Sequence, residues 1–320
     1  MENGSHPFYF NLTAFGNIGY YRYPAFIFCF LLYSVIVFAN VIIILVISRE
    51  KSLHQPMYIL ILCLCINSLY GSAGFFPRFL IDLLSDTHAI SLPACFTQIF
   101  FIYSYATFEL TMMSAIAYDR YVAVCHPLHY HNKMTANKVI TIVAAAYIYP
   151  VCVLSPSACL SFTTPLCGNN IPKVFCANWL VLKLSCVTTF INNVVGLFLS
   201  GTIFAPLLFV AYTYLRILLI CRKGTSESRL KVLQSCLPHI VTFANFAVSM
   251  FCDVVLSRFN IEEFSPFAAI VISLEFVVIP PIVNPLMYGI KLQEIKKNIL
   301  KILCLTTANI NLGFIDSFGH

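Results

Sequence analysis

Seven stretches of this chain, near residues 24–48, 57–84, 95–124, 138–161, 190–221, 232–257 and 266–290, are apolar and long enough to cross a lipid bilayer. The first, Pro24 to Ser48, reaches about 37 Å as a helix, more than the hydrocarbon thickness of about 30 Å. Hydrocarbon offers a backbone no water to bond, so each stretch is expected to close its hydrogen bonds within itself as a helix. Composition agrees: 59% of the residues are hydrophobic and 10% are charged, whereas a soluble domain covers itself with roughly a quarter charged residues. The chain therefore reads as an all-α integral membrane protein, a seven-transmembrane helix bundle. The bundle would occupy residues 24–290, after an outer N-terminal segment 1–23 and before a cytoplasmic segment 291–320. The first 23 residues show no h-region and cleavage site, so the first stretch reads as a helix of the mature protein.

Orientation follows from the basic residues. The segments after spans 1, 3 and 5, together with the tail, hold 14 of the 19 Lys and Arg, among them Arg120, Lys138, Arg216, Lys231 and Lys297. The positive-inside rule then places the N-terminus outside and the tail in the cytoplasm. The net charge of +6 is thereby explained as charge sorted across a membrane, and no nucleic-acid partner is implied. Asn3-Gly4-Ser5 and Asn11-Leu12-Thr13 are glycosylation acceptors in the segment that would face outward. Lys291 to Leu300 alternates apolar and basic residues at helical spacing, which suits a short amphipathic helix on the inner leaflet, with membrane lipid as its partner.

Of the 14 cysteines, those inside apolar runs, such as Cys63, Cys65, Cys152 and Cys252, read as small buried hydrophobes. Cys95, at the start of span 3, and Cys167, Cys176 and Cys186, between spans 4 and 5, would face the oxidising side. Four cysteines allow three pairings, and spacing leaves all three open.

Polar residues inside the bundle come next. Counting back from Arg120 by steps of four and three gives Ile116, Met113, Glu109, Ala106 and Ile102, which share one helical face. Glu109 and Arg120 would stand about 16 Å apart along that stripe. A carboxyl group in hydrocarbon needs partners or a proton, so Glu109 is expected to look inward as an ion site, a proton site or a packing hub. On span 6, His239, Phe246, Met250 and Asp253 recur at helical spacing, with Pro238 as a natural bending point. The chain has no H-E-x-x-H, no G-x-S-x-G and no P-loop, so neither an enzyme nor a cofactor or metal is implied. A transporter or channel would call for paired broken helices or a chain of ionisable groups, and neither pattern is visible.

Asp119-Arg120-Tyr121 at the end of span 3, Asn284-Pro285-Leu286-Met287-Tyr288 at the end of span 7, and Asn40 in span 1 together resemble the rhodopsin-like G-protein-coupled receptors. Further motifs are similar to those of odorant receptors: Leu53 to Tyr58 (LHQPMY), Ala117 to Cys125 (AYDRYVAVC), Lys183 to Cys186 (KLSC), Lys231 to His239 (KVLQSCLPH) and Pro280 to Pro285 (PPIVNP). The long second outer loop and Ile66 to Gly71 (INSLYG) most resemble the fish-type, class I branch.

The resemblance implies bridges Cys95–Cys176 and Cys167–Cys186, a small water-soluble odorant as ligand, and a stimulatory olfactory heterotrimeric G protein that raises cyclic AMP. It implies a plasma-membrane location in sensory cilia; the same fold outside the nose would serve as a metabolite sensor. An odorant would enter beneath the outer loop and meet Ile102, Tyr103, Ala106, Phe246 and Met250. Arg258 would suit a carboxylate ligand, and Asp253 or Glu275 an amine. Arg120, held by Asp119, would be released towards Tyr212, Tyr288 or the G protein, with Tyr121, Lys231, His239, Asn284 and Pro285 in the same switch. Three positions depart from the family pattern: Ser68 stands where Asp is usual, leaving Glu109 without an acidic mate, Tyr147 replaces Trp, and Ala247 replaces an aromatic.

Overall fold

The computed structural model describes residues 8–15, 19–256 and 266–301. Its helices are α1 (Arg22–Arg49), α2 (Pro56–Leu84), α3 (Leu92–Cys125), α4 (Tyr130–Lys133), α5 (Ala136–Phe162), α6 (Asn178–Lys183), α7 (Phe190–Cys221), α8 (Ser226–Leu256) and α9 (Pro266–Lys291). A further helical segment covers residues 293–301. The seven long helices correspond to the seven expected spans, and α4 and α6 are short loop helices. Among the described residues, five are long and apolar enough to cross a membrane by length and composition, and α7 adds the apolar stretches Phe190–Leu199 and Ala205–Cys221.

Local chemistry sets the helix ends. Pro56 opens α2 at a position where its missing N–H costs nothing. Ser91 caps α3 by accepting from the Ala94 N–H at 3.4 Å, and Thr135 caps α5 through Lys138 N–H at 3.3 Å. With Ser91 as cap, α3 starts one turn before the expected boundary at residue 95. At its other end His126 precedes Pro127, which disfavours a helical residue before it, and the chain turns into α4. The start of α8 also differs from expectation, lying at Ser226 instead of near 232. The added turns are polar and carry an exposed Lys231–Glu227 pair at 2.7 Å, support that hydropathy does not register.

In the bundle α3 lies at the centre, against α2, α5, α7 and α8, while α9 packs on α1, α2 and α8. Phe28, Phe38, Phe198 and Leu208 point outward, as residues facing lipid tails would. Helices α2 and α3 approach so closely that a Cβ on Gly71 would fall 2.4 Å from the ring of Tyr105, itself fully buried. Another close contact uses backbone chemistry. Pro285 has no N–H for the carbonyl four residues back, which is that of Pro281. The Asn40 amide of α1 donates to that carbonyl at 3.0 Å, and to Ile36 O at 2.8 Å. A proline on α9 thus creates the acceptor that holds α1.

The outer face carries a feature absent from the all-helical expectation, a three-stranded sheet. Strand β1 (Tyr9–Leu12) lies between β2 (Ala89–Ser91), with which it runs antiparallel, and β3 (Asn170–Ile171), with which it runs parallel. Phe10 and Leu12 point down into the core, beside Phe75, Phe79 and Phe175. Arg78 fastens the sheet to α2 by bonding Asp82 through two nitrogens, at 2.8 and 2.7 Å, and the Ala89 carbonyl at 2.7 Å. Cys95 is bridged to Cys176 and Cys167 to Cys186, so the loop between α5 and α7 is pinned to the top of α3. Nearby, Arg22 bonds Asp86 at 2.6 Å and holds that exposed carboxyl below the usual carboxylate range, through the hydrogen bond first and its charge second.

Two substitutions test this packing. Gly71→Ala must push the buried Tyr105 ring aside and is expected to cost about 1–3 kcal/mol, read as a lower melting temperature of the protein in nanodiscs. Asn40→Ala strips the donor from the Pro281 carbonyl and is expected to cost about 1–3 kcal/mol; an unchanged melt would refute the Pro285–Pro281–Asn40 account.

Candidate functional site

Three groups of residues along α3 form the candidate site. The middle group centres on Glu109, fully buried. Its carboxyl accepts from Asn67 Nδ2 of α2 at 2.7 Å and from Asn284 Nδ2 of α9. Asn67 Nδ2 also donates to the Tyr105 carbonyl at 3.1 Å. Two amides thus supply what an acidic neighbour cannot, a pair of donors, and Glu109 joins three helices through side chains alone. Ser68 and Ser72 line the same region of α2, fully buried, with no protein partner on either hydroxyl among the described residues.

At the cytoplasmic end of α3 the Arg120 guanidinium bonds Asp119 through Nε at 2.9 Å and through a terminal nitrogen. Its other terminal nitrogen donates to Ser235 Oγ of α8 at 3.2 Å. Asp119 is fully buried and also accepts from Tyr130 Oη of α4 at 2.7 Å. Burial, and next the Asp119 charge, push the Tyr130 phenol above its ordinary pKa. The pair is therefore a four-residue cluster joining α3, α4 and α8. Ser235 and Tyr130 are missing from the sequence reading, although Ser235 lies inside the KVLQSCLPH motif and Tyr130 ends the stretch AYDRYVAVCHPLHY.

The expected partnership of Arg120 with Tyr212 does not suit the geometry. Tyr212 is 51% exposed, its ring beneath Arg216. Two residues advance a helix by about 200°, so Tyr214 is the inward one, packed with Ala117, Val210, Ile217 and Cys236. Tyr288 is buried and engaged elsewhere. Thr242 Oγ1 donates to the His239 carbonyl at 3.1 Å, so Tyr288 Oη is the donor in its 3.2 Å bond to Thr242. The His239 ring lies 5.3 Å from the Tyr288 ring. Tyr121 is half-buried, 3.4 Å from His126 Nε2, and Lys231 is exposed in its pair with Glu227.

In the outer half, Ile102, Ala106 and Phe246 belong to one buried cluster, and Tyr103 and Met250 pack against it. Its roof is the disulfide-pinned loop: Val174, Phe175 and Cys176 are buried in the same cluster, and Cys176 N–H donates to Gln98 Oε1 of α3 at 3.0 Å. Gln98, in the second turn of α3, is a further residue that the sequence does not single out. Asn11 lies exposed on β1, with Nδ2 3.5 Å from Asn170 Oδ1. Arg258 and Asn3 lie outside the described residues, as does the side chain of Asp253.

Comparison with known proteins supplies the family. Residues 28–306 match the olfactory receptor family. Olfactory receptor 51L1 of Homo sapiens is 33% identical over 295 residues, 91% of this chain and 93% of that protein. Olfactory receptor 51E1 of Homo sapiens is 32% identical over 278 residues, 86% of this chain and 87% of that protein. Among solved structures, squid rhodopsin superposes with a TM-score of 0.70 at 19% identity, covering 89% of this chain and 86% of that one, a likeness of fold. With an apolar seven-helix bundle, the Asp119–Arg120 cluster and these relatives together, the chain belongs to the olfactory receptor family of G-protein-coupled receptors, multi-pass plasma-membrane proteins that are not enzymes.

Proposed function

We propose that this chain binds small, water-soluble odorants beneath its outer loop and activates a stimulatory olfactory G protein, raising cyclic AMP in sensory cilia. The observation that carries the reading is the Arg120–Ser235 bond. It ties α3 to α8 at the cytoplasmic end, where an intracellular partner has access.

The bond suits a latch because it is strong enough to matter and weak enough to break. A hydrogen bond to a charged group contributes about 1.5–3 kcal/mol. An odorant need only bind the released state roughly ten- to a hundredfold more tightly to offset that. Asp119, braced by Tyr130, keeps the guanidinium from wandering while Ser235 leaves with α8. The outer cluster supplies the differential contacts. Ile102, Tyr103 and Ala106 stand on α3, Phe246 and Met250 on α8, so a ligand between them senses the spacing of the two helices. Arg258 gives an acidic odorant a bidentate partner and Asp253 gives an amine a counter-charge. Asn284, Pro285 and Tyr288 would carry the change to α9, while Glu109 and Ser68 form a polar hub between. Sugars on Asn3 and Asn11 would face outward.

A cyclic-AMP screen of water-soluble odorants, in cells supplied with the olfactory G protein, tests the reading; odorant-evoked current that persists without G protein and cyclase would replace it with a channel. Ser235→Ala is expected to raise basal cyclic AMP about three- to tenfold at equal surface density, and Arg120→Ala to abolish the response. Full signalling by Arg120→Ala at the surface ends the latch account. For the ligand, Arg258→Ala is expected to remove responses to acids and spare those to alcohols. Intact responses to every acidic agonist would dismiss Arg258 as the anion partner.

A further inference from the structure

Between α2, α3 and α5, halfway along the bundle, lies a cavity of about 230 Å³ that borders the outer cluster at Tyr70 but is lined by none of Ile102, Tyr103, Ala106, Phe246 and Met250. Its rim is formed by Ile66, Tyr147 and Val151, which are 42%, 44% and 50% exposed on helices that cross the bilayer. The mouth therefore opens sideways into lipid. The floor is different in kind. It contains Asn67, Tyr70 and Ser104, all polar and turned into the bundle.

The hydrogen bonds on that floor decide what the cavity can hold. Ser104 Oγ has one proton, and it goes to the Phe101 carbonyl at 3.1 Å. In the 2.8 Å contact between Tyr70 Oη and Ser104 Oγ, Tyr70 is then the donor. The Tyr70 oxygen keeps its lone pairs. Asn67 Nδ2 is committed to Tyr105 O and Glu109, and the Asn67 carbonyl oxygen has no protein donor among the described residues. The floor thus offers acceptors whose own protons are already in use. An anion would be repelled by it, and an ammonium ion would have to shed its hydration to arrive from hydrocarbon. An uncharged O–H group meets neither cost.

Size sets the rest. At about 30 Å³ per non-hydrogen atom, the share a water molecule takes in its liquid, the cavity holds roughly eight such atoms. The walls are largely aromatic, with Phe100, Phe108 and Tyr147, the last two tilted against each other with ring centroids 4.2 Å apart. We infer that this cavity is a second ligand site, taking a small uncharged alcohol or phenol that enters from the bilayer and donates its hydrogen bond to the acceptors of Asn67 and Tyr70. Because the same Asn67 amide holds Glu109, an occupant touches the polar hub from the membrane side. That influence on output rests on the receptor reading above, while binding itself does not.

The test uses the full chain in nanodiscs, photolabelled with a five-carbon alcohol bearing a diazirine and with its methyl ether, followed by peptide mapping. The alcohol is expected to label the α2, α3 and α5 peptides around the cavity about fivefold more than the ether, the worth of one neutral hydrogen bond. Val151→Trp, which narrows the mouth, should abolish that label, and Tyr70→Phe should reduce the preference for alcohol over ether while ether labelling persists. Equal labelling by alcohol and ether, or label spread evenly over lipid-facing residues, overturns the proposal and leaves a groove for lipid tails. Cyclic AMP measured on the same variants separates the two readings. Labelling without any odorant response refutes the receptor function and keeps the site; a normal response without the label does the reverse.

Discussion

A carboxyl group surrounded by apolar helices is the most demanding residue in this fold, and Glu109 meets the demand with two amides. Asn67 reaches it from α2 and Asn284 from α9. An unpartnered carboxyl in hydrocarbon would cost several kcal/mol or more, so the positions of α2, α3 and α9 are tied to one another by that requirement. The same rule places the next neighbour. Pro285, beside Asn284, frees the carbonyl that Asn40 then satisfies, and α1 joins the group. Four helices are thus registered by polar contacts, in an environment where apolar packing alone distinguishes poorly between one rotation of a helix and another.

From that centre α3 runs to two ends with opposite character. Outside, Gln98 and Cys95 hold the loop containing Cys176, so the roof is fixed by a covalent bond and a buried hydrogen bond. Inside, Arg120 meets α8 through a single side-chain bond to Ser235. Stiffness is concentrated at the outer end, and the bond that the proposed latch would break lies at the opposite end. The separation follows from chemistry available on each side, since disulfides persist only in the oxidising compartment.

Much of this was legible in the sequence. Apolar length marked the seven helices, and Lys and Arg gave their orientation, because lipid imposes both rules on any chain. Glu109 was marked by its cost as an ion site, a proton site or a packing hub, and Arg120 by its place on the same stripe. The partners were less legible. Ser235 and Tyr130 are ordinary residues whose roles come from packing of helices distant in sequence. Tyr212 and Tyr214 differ by two positions on a uniformly apolar helix, which gives no periodicity from which to tell inside from outside. The sheet leaves no pattern in the sequence because its strands are two to four residues long and pair with partners about 80 and about 160 residues away. Pattern reading sees local regularity, and these features have none.

The order in which the sheet becomes possible bears on how the protein is made. Its central strand, β1, is synthesised early, whereas β3 follows the first four long helices and sits about 160 residues later. Until those helices are inserted, Phe10 and Leu12 have no core to enter, and the strand waits in the lumen with apolar side chains exposed. Closure of the cap is therefore a late event in biogenesis, and a chain trimmed through β1 would leave β2 and β3 with no strand between them.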